Sequence, residues 1–127
     1  MVLGFAALSA GIMYSQRPRV LAELVGKWQG RMYTRSVYEF RPDGTYSSRG
    51  VEILYAGGPE ETLTSAGEWR ATKSSIQFKA HSGDSVEGGK VVPLKPTHQW
   101  SSMPIRWNPD GTWQPTEVGI GTFQKVP

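Results

Sequence analysis

Phe40-Arg41-Pro42-Asp43-Gly44-Thr45-Tyr46 and Trp107-Asn108-Pro109-Asp110-Gly111-Thr112-Trp113 decide how this chain folds. Each is an aromatic residue, a turn and a second aromatic residue. Pro presets φ for the first central position of a type I turn, and Asp tolerates the next. Gly takes the left-handed position that completes a three-residue hairpin loop with a G1 bulge. Two hairpins are therefore expected, each with aromatic side chains entering and leaving the turn. Hairpins that reuse good turn chemistry account for the likeness better than duplication, since little else in the two regions aligns.

Outward from these turns the chain alternates with a period of two, the mark of a half-buried strand. Trp28, Gly30 and Met32 fall on one face, then Tyr38 and Phe40, then Val51, Ile53 and Tyr55. Trp69 anchors a strand over 62–71, and Ile76, Phe78 and Ala80 share a face in the next. His81 to Lys90 is rich in Gly, Ser and charge and reads as a long mobile loop. Pro93 assigns 91–94 to an edge or a bulge. Strands over 99–107 and 119–126 complete the series. Val20 to Val25 suits one helical turn, with Val20, Leu21, Leu24 and Val25 facing the core. The expected fold is all-β, an antiparallel up-and-down barrel of seven to eight strands with a short N-terminal helical segment. Closure removes the exposed edges that an open meander would leave.

The 127 residues suffice for one domain. Two units are expected, an apolar signal-like or anchor-like segment at 1–19 and the barrel at 20–127. Val2 to Tyr14 carries no charge, but it is shorter than the roughly 20 apolar residues of a membrane-spanning helix. Its length suits the apolar core of a secretory signal, although a basic leader is missing. A short helix belonging to the domain is the alternative. An extracytoplasmic or membrane-anchored location, with membrane association through residues 2–14, is the expectation.

The net charge is +3, and basic and acidic residues are interspersed along the β-region. No basic stripe suggests nucleic-acid binding, which needs clustered Lys and Arg. The absence of Cys excludes disulfides, a thiolate nucleophile and Cys-ligated zinc.

Val25-Gly26-Lys27-Trp28-Gln29-Gly30, after a helical lead-in, resembles the entry to lipocalin-like (calycin) barrels. Tyr38 to Tyr46 resembles the second hairpin of small bacterial lipocalin-like domains. Ala66-Gly67-Glu68-Trp69-Arg70-Ala71 with Ser75-Ile76-Gln77-Phe78 resembles their middle strand pair, and Gly121-Thr122-Phe123-Gln124-Lys125 their closing strand. The G-x-aromatic triplet recurs four times, at Gly26, Gly67, Gly111 and Gly121. The resemblance covers residues 22–126 and implies a calyx for a small apolar molecule, or a domain of a bacterial envelope protein. The chain departs from a full lipocalin in its shortness and its lack of a clear C-terminal helix.

Catalytic constellations are sparse. His81 lies beside Ser82 and Asp84 on a segment read as flexible, whereas triads need a rigid scaffold. His98 suits a strand end; it is also the one axial ligand that a haem-binding, nitrobindin-like reading would offer. No His pair or carboxylate cluster suggests a metal. The leading expectation is a non-enzymatic domain, without a cofactor, that binds a small apolar or amphipathic ligand. Its interior would be lined by Tyr38, Tyr55, Trp69, Phe78 and Trp100, with Arg49 or Arg70 near a rim. The alternative is a structural or protein-interaction module with a filled barrel and no ligand, meeting partners through loops 56–61 or 81–90.

Overall fold

A computed structural model describes residues 17–31, 35–53, 60–96, 98–117 and 121–127. The strands are β1 (Gly26–Gly30), β2 (Val37–Phe40), β3 (Thr45–Ile53), β4 (Glu60–Thr72), β5 (Ser75–Glu87), β6 (Lys90–Pro93), β7 (Ser101–Trp107), β8 (Trp113–Pro115) and β9 (Phe123–Val126). All the strand pairings are antiparallel. The order β4-β3-β2-β1-β9-β8-β7-β5 closes through β4–β5 into an eight-stranded barrel, and β6 hangs from β5 outside the ring. The all-β, up-and-down barrel expected from the strand grammar is the fold observed.

Both P-D-G-T turns have the expected geometry. Gly44 and Gly111 have φ of 85° and 87°. The Gly44 N–H donates to the Arg41 carbonyl and the Gly111 N–H to the Asn108 carbonyl, each at 3.1 Å. Asp43 Oδ1 accepts from the Thr45 N–H at 3.0 Å and the Thr45 hydroxyl at 2.6 Å. Asp110 Oδ1 repeats both bonds with Thr112 at the same distances.

One end of the barrel is closed. A 3-10 turn at Ala22–Leu24 sits beside the first P-D-G-T turn and the β4–β5 turn. Leu21 and Leu24 are buried, and the Trp28 indole N–H donates to the Leu24 carbonyl at 2.9 Å. Val20 is exposed, contrary to the core position expected for it, because the chain before the turn is extended. Arg19 forms a two-bond bridge with Ala71, the first pairing along the chain among the described residues.

The other end flares. Here β3, β4 and β5 run beyond the barrel and β6 joins them. The long loop expected over 81–90 is a correction: β5 continues to Glu87, and Gly88-Gly89, with φ of 56° and 81°, form a two-residue hairpin turn into β6. Composition suggested a loop, but pairing with β4 on one side and β6 on the other supplies the backbone hydrogen bonds. The Leu94 N–H donates to the Gly83 carbonyl at 2.8 Å. By the alternation of an antiparallel ladder, Pro93 then points its missing donor at the free edge, where it interrupts no pairing.

Tyr55, Met32 and the segment 2–14 lie outside the described residues. Among the described residues, no helix is long and apolar enough to cross a membrane.

Candidate functional site

Directly opposed residues on paired strands share a face, so the register sorts side chains into inward and outward rows. The inward rows at the closed end are filled with rings. Phe40 and Trp69 have centroids 4.9 Å apart, and Trp113 stacks on Phe123 at 4.4 Å. Trp28 meets Trp107 and Trp113 edge-on, each at 6.0 Å. Leu24, Ala71, Ile76 and Ile105 complete this packing. Such ring pairs contribute about 0.5–1.5 kcal/mol each beyond their buried area. The Trp113 indole N–H is buried among these rings and has no acceptor among the described residues.

Tyr38, Tyr46 and Phe78 form the upper layer of the packed rings. Phe78 lies 4.9 Å from the Tyr46 ring and 5.6 Å from the Tyr38 ring. Tyr46 is buried, whereas Tyr38 and Phe78 are half-buried. The Tyr46 and Ser65 hydroxyls form a hydrogen bond of 2.5 Å. Burial raises the Tyr38 phenol above its ordinary pKa of 10.0, and the nearby Tyr46 raises it further. Burial raises that of Tyr46 too, opposed by its bond to Ser65.

Beyond this layer the inward positions are short. Tyr38 is opposite Ser48, Ser48 opposite Ser65, and Ser65 opposite Gly83. One row further out, Gly50, Leu63, Ser85 and Val92 are in register. Leu63 is 51% exposed and Val92 48%, although both belong to inward rows. Among the described residues this end is therefore a flared mouth with an aromatic floor, short-chained walls and hydroxyl groups.

Glycine shapes the mouth at two points. A Cβ on Gly67 would collide with the Lys79 carbonyl oxygen, and one on Gly83 with the Thr64 carbonyl oxygen. Both flank the β-bulge where the β4–β5 register shifts between Ala66 and Gly67. The close backbone approach excludes any side chain there.

Two further concavities lie elsewhere. An open trough of about 680 Å³ crosses the outer face; its lining includes Lys27, Glu39, Arg49, Thr64 and Asp84. A cleft of about 290 Å³ at the closed end is lined by Leu21, Glu23, Lys73 and Trp107.

The structure brings Tyr38, Trp69 and Phe78 together inside the barrel, with Trp69 buried directly opposite Phe78. Arg49 belongs instead to the outer trough. Arg70 also faces outward, donating from Nε to Gln77 at 2.5 Å. Trp100 is a correction: its ring lies on the outer side under the Arg70 guanidinium, 4.0 Å from the centroid, with Lys79 Nζ at 5.9 Å. It precedes β7, where strand alternation has not begun and gives no direction. Trp28, Trp107, Trp113 and Phe123 also belong to the interior packing. Three of these carry the recurring triplet, and the aromatic residues of all four triplets are buried. That repeat was the signal that could have found them.

His81 Nε2 contacts Glu68 Oε2 at 2.6 Å on the outer surface, and His98 is exposed. Among the described residues no cluster of three or more His, Asp or Glu side chains could hold a metal. Compared with protein-family models, curated proteins and solved structures, the chain matches none.

Proposed function

We propose that the chain is a non-enzymatic, lipocalin-like binding domain that takes the apolar part of a small amphipathic molecule into the flared mouth. One observation carries this reading. Tyr38 and Phe78 are only partly buried, while the inward rows beyond them are Ser, Gly and an exposed Leu. Ligand sites combine an apolar lining with a few placed polar groups, and the Tyr46–Ser65 hydroxyl pair supplies such groups here.

Calorimetric titration with decanoate tests it. Saturable binding in the wild type, weakened at least about tenfold by Ser48→Leu, is expected; tenfold corresponds to about 1.4 kcal/mol. No heat from the folded wild type at millimolar decanoate would refute the mouth as a ligand site.

A second reading, an interaction platform without ligand, is favoured by the ring-filled closed half and by exposed Leu63, Val91 and Val92 on the β3–β6 extension. It would gain if decanoate failed to bind and Val91→Lys abolished capture of a defined protein partner. Export or membrane association rests on the uncharged run Val2 to Tyr14. Fractionation of cells expressing the whole chain, with and without residues 2–14, tests that part.

A further inference from the structure

We propose that the closed-end cleft is a second binding site, for a small zwitterion with an apolar side chain, an α-amino carboxylate. The cleft lies at the opposite end of the barrel from the mouth and does not depend on it. Its volume of about 290 Å³ is at the lower end of the range for small-molecule sites. The apolar lining comes from Leu21, before the helical turn, and from Trp107 at the end of β7. Trp107 is half-buried, and Trp28 packs edge-on against it, so its position is fixed from the core side.

Among the described residues, two opposite charges line the cleft and point to the ligand class. Glu23 belongs to the helical turn and Lys73 to the β4–β5 turn. Their Oε1 and Nζ atoms are 3.9 Å apart, too far for a hydrogen bond. Both side chains are largely exposed, at 55% and 79%. Each therefore keeps its hydrogen-bonding capacity while presenting an opposite charge beside one apolar cavity. A purely anionic ligand would gain Lys73 but oppose Glu23, and a purely cationic ligand would do the reverse. A molecule carrying ammonium and carboxylate on one carbon satisfies both, and its side chain enters against Trp107.

The test uses the full chain with ¹⁵N-labelled tryptophan and three probes: phenylalanine, 2-phenylethylamine and 3-phenylpropionate. Phenylalanine is expected to shift the Trp107 indole resonance saturably and to leave that of Trp69 in place. Each single-charge probe should bind about threefold to fivefold more weakly, the scale of one exposed ion pair. Lys73→Met should reduce phenylalanine to the level of 2-phenylethylamine, and Glu23→Gln to that of 3-phenylpropionate. Equal affinity for all three probes would overturn the proposal. So would shifts at Trp69 in place of Trp107, or no saturation by about 50 mM phenylalanine. Decanoate binding at the mouth can succeed or fail without affecting any of these outcomes.

Discussion

The indole N–H of Trp69 donates to the carbonyl of Arg41 at 2.9 Å, tying the middle strand pair to the first P-D-G-T turn. A second bond, from the Trp69 backbone N–H to the Gly44 carbonyl at 2.9 Å, fixes the same junction. The Trp69 side chain therefore both fills the core and closes the hairpin that turns beneath it. Trp69→Phe removes the indole bond and leaves a void at a residue only 2% exposed. The expected loss is about 2–4 kcal/mol, from the orphaned carbonyl and the unfilled volume together. Urea unfolding should show it as a lowered midpoint with an unchanged slope.

Acid should weaken the fold through two matched carboxylates. Thr45 hydrogen bonds, first from its hydroxyl and then from its N–H, hold Asp43 below its ordinary pKa of 3.8. Thr112 does the same for Asp110. A carboxylate depressed in the folded state binds fewer protons there than in the unfolded chain. Its contribution is present above the unfolded value and is lost as pH falls through the folded one. The double variant Asp43→Asn, Asp110→Asn should be less stable than the wild type at pH 6, and the gap should narrow below about pH 3.8. A gap independent of pH in urea titrations would contradict this linkage.

At high pH Tyr38, alongside Tyr46, weakens the fold. Its phenol is raised by burial and by Tyr46, so the folded state retains a proton that the unfolded chain releases near pH 10.0. The contribution is complete below that value and declines as pH rises through the folded one. Tyr38→Phe should flatten the fall in unfolding free energy above about pH 10. The same steepness in wild type and variant would show that Tyr38 does not control it.

Gly67 and Gly83 permit the sharp approach of β4 to β5. Alanine at either position would place a methyl against a backbone carbonyl that cannot rotate away. Each substitution should cost about 3 kcal/mol, at the upper end for overpacking. Gly88→Asn is the control: a side chain there meets nothing within 4 Å, and Asn tolerates the φ of 56°. Its thermal midpoint should move by only a few degrees, against more than about 10 °C for Gly67→Ala.

Local chemistry made much of the barrel legible. Pro42-Asp43-Gly44 and Pro109-Asp110-Gly111 carry their turn geometry in their own covalent structure, because φ is constrained at Pro and left free at Gly. Trp28, Phe40, Trp69 and Phe78 could be assigned inward by alternation. The stretch from His81 to Glu87 misled because its strand character resides in backbone pairing with β4 and β6, which composition does not report. Trp100 misled because alternation does not extend into an irregular segment. Arg49 is expected near a rim, but the parity of β3, counted from buried Tyr46, turns it outward.

By itself the sequence determined the hairpin turns, the all-β class and most of the aromatic core. These follow from dihedral preferences and from a two-residue period, both local properties. Only the tertiary structure decided where the barrel is packed and where it opens. Tyr38, Ser48, Ser65 and Gly83 come into one row through the registers of three strand pairs. Glu23 and Lys73, 50 positions apart, meet over one cleft because the helical turn closes the same end at which β4 turns into β5. Register and closure are set by long-range pairing, and no local stretch of the chain encodes them.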